Sequence, residues 1–338
     1  MTPLIAPARP DTDTEFARIV DELTRRGFLA GGLGGAALLG LAACGSSGSG
    51  GDHSSSSAAP STRAVQGAYG PIDVPADPKR VVALGKSAVT TLLDLGLTPI
   101  GVDEGEVAVA IPQYATALKH VPTVGAYGEF NAEKILALKP DLLIGYDTYI
   151  DRQLFNQVKD LVPTYAQPNG GSISWKDSTT EYAAVLNRPS QLAAWKQKYS
   201  DRLAQIKATY RDQLVGNRWE LVKPNGPGAY LRFLPSADAL QILAQLGGTL
   251  GNAGATGPTY FGSPLSYESI PDELGKATVV LCIESGNEPL TSSPLWKKLP
   301  AVNAGHAYLS NDLFPAGYSG GIALLDFFGD VCQKLAAR

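Results

Sequence analysis

From residue 80 onward one pattern repeats along the chain: a short apolar run, a stretch with helical spacing, then another apolar run. RVVALG (80–85), PIGVDE (99–104), VPTVGA (121–126), DLLIGYD (141–147) and PTYA (163–166) read as strands. Between them, SAVTTLLDLG with Ser87 as its cap, NAEKILALK with Asn131 as its cap and Pro140 as its stop, and DRQLFNQVKDLV read as helices. Near-continuous apolar strands interleaved with helices predict a parallel sheet covered on both faces. A second series follows. It contains GAYLRFL (228–234), the helices ALQILAQLGG and SYESIPDELG, the strand TVVLCI (278–283), the helix PLWKKLPAV, the strand HAYLSN (306–311) and a terminal helix from about Gly321. The pattern specifies an α/β protein with two lobes.

One segment joins the two series. In residues 189–216, Leu192, Trp195, Tyr199, Leu203, Ile206, Tyr210 and Leu214 are spaced 3, 4, 4, 3, 4, 4, which is a single apolar stripe on a helix. Pro189 and Ser190 start it and Gly216 ends it. About 26 residues of such a helix run about 39 Å. A rigid rod of that length predicts two lobes around a cleft that opens little.

The N-terminal part has a different character. Residues 27–43 form a mildly apolar, Gly-rich run, too weak and too short for the about 20 strongly apolar residues of a membrane-spanning helix. Before it, Thr24-Arg25-Arg26-Gly27-Phe28-Leu29 resembles a twin-arginine export signal, with Arg25 and Arg26 as the recognised pair. After it, Leu41-Ala42-Ala43-Cys44 resembles a lipobox, in which the chain is cut before a cysteine that is then acylated. Residues 45–65 are dominated by Gly and Ser and read as a flexible tether between a lipid on Cys44 and the folded body. The expected organisation is a signal peptide (1–43), the lipidated cysteine and tether (44–65), a first lobe (66–188), the connecting helix (189–216) and a second lobe (217–338).

Composition narrows the function classes. The whole chain carries 28 basic and 32 acidic residues. Setting aside residues 1–43, with four basic and five acidic, leaves a net charge of −3. A mildly acidic body without basic runs speaks against nucleic acid, whose phosphates need clustered Lys and Arg. His53, His120 and His306 stand far apart, and no Cys/His array suggests a zinc site. No G-x-S-x-G elbow appears, and no G-x-G-x-x-G opens a helix, so an exported enzyme is disfavoured. Besides Cys44, Cys282 lies in a strand pattern and Cys332 in a helix pattern. Two buried free thiols are expected, with a disulfide as the alternative in an exported protein.

Four stretches, DPKRVVALGKSAVTTLLDLGLTPIGV, NAEKILALKPDLLIGYD, LSYESIPDELGKATVVLCI and SSPLWKKLPAVNAGHAYLSN, resemble the ferric-siderophore and cobalamin group of ABC-transporter substrate-binding proteins. The resemblance covers nearly all of residues 70–338. It implies two Rossmann-like lobes joined by one long helix, the helical-backbone substrate-binding fold. It also implies a monomeric, non-enzymatic receptor on the outer face of the cytoplasmic membrane. Such a receptor has no covalent cofactor, carries a ferric siderophore as its transported ligand and delivers it to a permease dimer. Haem and cobalamin are alternative ligands within the same group. A surface adhesion module is a rival from another class, separated by whether a small ligand binds.

In parallel α/β sheets ligands sit beyond the carboxyl ends of the strands. Those ends are Lys86 and Ser87, Asp103 and Glu104, Tyr127, and Tyr146 to Tyr149 in the first lobe. In the second they are Arg232 and Phe233, Glu284, and Asn311 to Phe314 with Tyr318, joined by Tyr260 and Phe261 from GPTYFGSP. The expected ligand-binding set is Arg232, Tyr149, Tyr127, Phe261, Tyr260, Lys86, Phe314 and Tyr146, with Arg232 as the main cation. A tris-catecholate iron complex carries a charge of about −3 and favours clustered cations. Only Arg232 and Lys86 stand at strand ends, so the set leans to a hydroxamate or mixed-type siderophore. The resemblance places Tyr149 at a binding tyrosine and Phe261 at an aromatic platform. It places Tyr127 where hydroxamate-binding relatives often carry arginine. It further implies that Glu133 and Glu268, one on each lobe, face arginines of the permease.

Overall fold

The computed structural model describes residues 61–105, 112–168, 173–257, 259–283, 290–310 and 313–337. It opens with a hairpin of β1 (Thr62–Gly67) and β2 (Gly70–Pro75), paired from Thr62↔Pro75 to Gly67↔Gly70. The hairpin overlaps the stretch read as tether: residues 62–65 belong to a strand. Arg63 Nη2 donates to the Val185 carbonyl at 2.7 Å and ties the hairpin to the first lobe.

The first-lobe sheet is wholly parallel, in the order β4-β3-β7-β8. Its strands are β3 (Val81–Leu84), β4 (Gly101–Val102), β7 (Leu142–Tyr146) and β8 (Thr164–Gln167). The run 121–126 does not form a full strand. A small hairpin of β5 (Gly125–Ala126) and β6 (Glu129–Phe130) stands there instead. Between the strands lie α1 (Lys86–Asp94), α2 (Pro112–Leu118), α3 (Ala132–Ala137), α4 (Arg152–Val158) and α5 (Trp175–Val185). Asn131 caps α3 as expected, accepting the Lys134 N–H at 2.9 Å. Ser87 does not cap α1. Gly85 holds that position at φ 87°, and Ser87 lies inside the helix.

The connecting segment is two helices, α6 (Pro189–Thr209) and α7 (Arg211–Gly216), where one was expected. Its stripe is oriented as the spacing predicted, with Leu192, Tyr199, Ile206 and Leu214 buried. The break falls at Tyr210, with φ −119° and ψ 29°. Just before it the Thr209 hydroxyl donates to the Gln205 carbonyl at 2.8 Å, a back-bond of the kind that bends helices.

The second-lobe sheet is mixed, not parallel throughout. β9 (Arg218–Pro224) is central, with β13 (Val279–Ile283) and β14 (Ala307–Ser310) parallel to it on one side. On its other side β10 (Ala229–Arg232) runs antiparallel and β11 (Thr249–Leu250) parallel, while β12 (Leu265–Ser266) extends the sheet from β10. The cause is local. Four residues, Asn225 to Gly228, join β9 to β10, with Gly226 and Gly228 at φ 77° and 69°. So short a link makes a hairpin, whereas a parallel neighbour needs a crossover.

The helices α8 (Asp238–Leu246), α9 (Ile270–Leu274), α10 (Pro300–Asn303) and α11 (Gly317–Ala336) complete the lobe. The helix expected over 266–275 splits into a 3-10 turn, Tyr267–Ser269, followed by α9 with Pro271 in its first turn. The helix expected over 294–302 likewise splits into a 3-10 turn, Trp296–Lys298, and α10. One core runs through both lobes. Leu92 and Tyr182 of the first, Tyr199 and Ile206 of α6, and Leu221, Leu243, Leu325 and Phe328 of the second belong to one buried cluster. At its middle Trp175, Tyr199 and Tyr318 meet edge to face at 5.1 to 5.8 Å. A Cβ on Gly321 would stand 2.6 Å from the Trp175 ring, so α11 seats directly on the first lobe. Cys282 and Cys332 are buried thiols not joined by a disulfide, in separate clusters on the two sides of the second sheet. Burial pushes the Cys332 thiol pKa up to about 12.

Candidate functional site

The first-lobe wall of the cleft grows from the turn after β3. The Asp103 carboxylate, buried at the end of β4, accepts the Gly85 N–H at 2.8 Å and shapes that turn. Burial raises the Asp103 pKa, and this hydrogen bond pulls it back. A Cβ on Gly85 would lie 2.9 Å from the Tyr149 ring, so glycine lets Tyr149 lie over the turn. Tyr127, at the tip of the β5–β6 hairpin, meets Tyr149 edge-on at 4.8 Å and is 62% exposed. Phe130 stacks on Tyr149 at 6.1 Å. From the next residue along, Lys86 Nζ reaches across to the Phe314 carbonyl at 2.9 Å.

That bond leads onto the second-lobe wall. The ring of Phe314, 40% exposed, lies 5.6 Å from Phe233 and 6.1 Å from Phe261, and Phe233 meets Phe261 at 4.9 Å. Lys223 places its ammonium 5.1 Å from the Phe261 ring centroid. The structure thus gathers Tyr127, Tyr149, Lys86, Phe261 and Phe314 along one continuous surface, and it adds Phe130, Phe233 and Lys223. Lys223 escaped the sequence reading because β9 did. The signal was present: ELVK runs directly into the turn-rich PNGPG, which marks the strand before it.

Two expected members are already engaged. The Tyr146 hydroxyl donates to Ser87 Oγ at 3.1 Å and shares a 2.9 Å bond with Ser178 Oγ, behind the wall. The Tyr260 hydroxyl donates to the Ile173 carbonyl at 3.4 Å and ties its loop to the first lobe. Tyr318 is buried in the core.

Arg232 is the main correction. Successive residues of a strand point to opposite faces, and Arg232 precedes Phe233. Phe233 faces the large core with Trp219 and Leu221, whereas Arg232 shares the α9 side with Val222 and Tyr230. There Nη2 and Nε donate to Glu220 at 2.7 and 3.3 Å, and Nη1 donates to Glu273. The guanidinium fork expected to meet ligand oxygens holds two carboxylates of its own chain. Burial raises the Glu220 pKa, and Arg232 pulls it back. A cavity of about 500 Å³ opens on this side, lined by Arg218, Arg232, Asn252, Asp272, Glu273 and Lys276. Within its wall Arg232 is paired with Glu220 and Glu273, and Arg218 donates to the Gly251 carbonyl. The aromatic surface differs: it carries the rings of Tyr127 and Phe314, both exposed, and the Lys86 and Lys223 ammonium groups.

Glu133 is half-buried in the first turn of α3. Glu268 is exposed in the turn before α9, its N–H donating to Ser266 Oγ at 3.2 Å. Arg25, Arg26, Cys44, Glu284, Asn311 and Asp312 lie outside the described residues.

Two α/β lobes on a helical spine, with a cleft walled from both sides, define a ligand receptor of the binding-protein type. The chain belongs to the periplasmic binding protein family, whose pattern matches residues 81–312. It is similar to the "Probable siderophore-binding lipoprotein YfiY" of Bacillus subtilis, 29% identical over 301 residues, 82% of this chain and 88% of that protein. The Fe(3+)-citrate-binding protein YfmC of the same organism is 27% identical over 260 residues, 73% and 78% of the two chains. The siderophore periplasmic binding protein from the fuscachelin gene cluster of Thermobifida fusca has a similar structure. Its TM-score is 0.62 and its identity 27%, over 77% of this chain and 98% of that one.

Proposed function

We propose that this protein is an exported receptor that binds a ferric siderophore in the cleft and delivers it to an ABC importer. The observation that carries the reading is the continuous wall from Tyr127 and Tyr149 through Lys86 to Phe314 and Phe261. A ferric siderophore brings its iron already coordinated. The receptor supplies aromatic surface and a few donors to the ligand oxygens. Lys86 and Lys223 are the donors of that kind, and two ammonium groups suit a hydroxamate or mixed-type ligand of modest charge. The relatives named as binding a siderophore or ferric citrate support the class. Lipidation at Cys44 holds the receptor at the outer face of the cytoplasmic membrane, and Arg25 and Arg26 direct export. The shared core keeps the cleft nearly fixed on binding, and the receptor acts as a monomer.

Glu133 and Glu268 face the permease dimer, where opposed surface charges govern docking rate and register. Replacing either with Ala leaves ligand affinity unchanged and slows uptake in cells. A loss of affinity in Glu133→Ala would remove it from this role.

Trp175, at the seam between the lobes, makes tryptophan fluorescence a direct assay. The protein is titrated with a ferric hydroxamate, a ferric catecholate, ferric citrate, haem and cobalamin. Haem is included because the exposed Tyr127 hydroxyl offers an iron ligand. Saturable sub-micromolar quenching by one ferric siderophore, absent with its iron-free form, is expected. Quenching by haem or cobalamin alone would replace the siderophore reading, and a flat response from folded protein would end it.

A further inference from the structure

A carboxylate outside the cleft joins the lobes. Asp94 is the last residue of α1 in the first lobe, and its Oδ2 accepts the Ser319 N–H of α11 at 3.0 Å. Ser319 is the third residue of a second-lobe helix whose own N-cap, Ala316, has no side chain to offer. Tyr114 donates its hydroxyl to the other Asp94 oxygen at 2.6 Å, and the Trp195 indole N–H donates to the Asp94 backbone carbonyl at 2.5 Å. The first lobe thus lends an acid to a helix N-terminus of the second, where orphan N–H groups and the macrodipole favour it.

The approach at Asp94 is too close for any side chain. Gly317 has φ 62°, and a Cβ on it would stand 2.5 Å from Asp94 Oδ2. Three residues earlier in the chain is Phe314, whose ring lines the cleft and whose carbonyl accepts Lys86. The start of α11 is therefore fixed at one end by a first-lobe carboxylate and at the other by a first-lobe ammonium.

We propose that Asp94 is a positioning residue: by capping α11 across the lobe boundary it holds residues 313–316 so that Phe314 faces Phe261 and meets Lys86. Its effect on affinity rests on the siderophore reading above; its effect on the chain needs no ligand.

The test uses the full-length protein and two readouts, amide hydrogen exchange and chemical acylation of Lys86. In Asp94→Ala, exchange at residues 317–320 and 313–316 is expected to rise at least tenfold, with faster Lys86 acylation and unchanged exchange in β7 and β13. In Asp94→Asn, which keeps an acceptor at the same place, both stay within about threefold of wild type. If Asp94→Ala does not fold, Asp94→Glu carries the charge on a longer arm and is expected to disturb the same two segments. Unchanged exchange at 317–320 in a folded variant overturns the cap. Faster exchange at 317–320, with 313–316 and Lys86 unmoved, overturns the positioning role. Where wild type binds a ferric siderophore, Asp94→Ala is expected to bind it about tenfold more weakly, and unchanged affinity overturns the link to the cleft. Failure of wild type to bind any ligand of the panel strikes the siderophore reading, while exchange still decides the cap.

Discussion

Arg232 and Phe233 are adjacent at the end of β10, yet they stand on opposite sides of the sheet in opposite environments. Phe233 joins Phe261 and Phe314 in an apolar wall with an exposed edge, while Arg232 is clasped by Glu220 and Glu273 beneath α9. Residue type alone would rank them the other way, since a strand-end arginine is the natural anion hook. The pleat decides. A guanidinium that already has two carboxylates is a structural group in this conformation, and the ligand is left with rings and lysines.

The largest expected effect breaks or secures that contrast. Glu220 is buried, with 3% of its side chain exposed, and Arg232 is its partner at 2.7 Å. Removing one member of a buried pair strands the other, at a cost of about 3–5 kcal/mol. Arg232→Ala should therefore lower unfolding stability in urea by about 3 kcal/mol, while ligand affinity in the folded fraction changes little. A tenfold loss of affinity at unchanged stability would return Arg232 to the cleft.

On the other face the effects reverse. Phe314 is 40% exposed, so its truncation gives up little core. Its ring is the second-lobe surface nearest the Lys86 bridge, and buried aromatic contacts dominate recognition. Phe314→Ala should weaken ligand binding about tenfold, or about 1.4 kcal/mol, with stability within about 1 kcal/mol of wild type. The fluorescence titration and urea unfolding measure the two together. Equal losses in both would mean that the aromatic wall is packing and not site.

How far the chain could be read residue by residue follows the same division. β3 and β13 are visible because all their residues are apolar, and Asn131 announces α3 because only a cap explains it there. The stripe from Leu192 to Leu214 shows its buried face, but not the break at Tyr210, which lies on that stripe and interrupts no part of the apolar spacing. β9 stayed hidden because RWELVKP mixes charge with apolar residues. Glu220 can be in the core only because Arg232 arrives beside it from a later strand. With β9 missing, neither Lys223 nor the true face of Arg232 could be placed. Lys86 and Tyr149 were legible because they follow the apolar parallel strands β3 and β7, whose ends are readable one at a time. The second-lobe wall depends on pairing, which no local pattern reports.

A smaller effect concerns pH at the lobe boundary. Burial pushes the Asp238 pKa up to about 6, against the pull of the Trp175 backbone hydrogen bond and of the Lys176 ammonium; Tyr260 is the other titratable neighbour. The folded state therefore holds this proton more tightly than the unfolded chain, whose carboxyl titrates near the model-compound value of about 3.9. The resulting penalty is full above the folded pKa, fades as pH falls through it, and is gone below the unfolded one. Asp238→Asn keeps an acceptor for Trp175 and removes the charge. It should raise the melting temperature at pH 7.5 by about 2 °C, the shift that about 1 kcal/mol brings in a chain of this size, and give no gain at pH 4. A gain equal at both pH values would place the titration elsewhere.

The smallest expected effect sharpens the contrast most. Lys223 and Arg232 are both cations of the second-lobe sheet, one over Phe261 and one inside an acid pair. An ammonium over an exposed ring is worth about 0.5–1 kcal/mol, so Lys223→Met should barely change folding. A ferric ligand that carries negative charge would feel the loss directly, by about threefold at low salt, and less at 0.5 M NaCl, where exposed charges more than a few ångströms apart are screened. Arg232→Lys keeps the charge but not the fork that holds Glu220, so it should cost stability and leave the salt dependence of binding unaltered. If instead the salt dependence follows Arg232 and ignores Lys223, the ligand approaches from the α9 side, and the cavity there, not the aromatic wall, is where it binds.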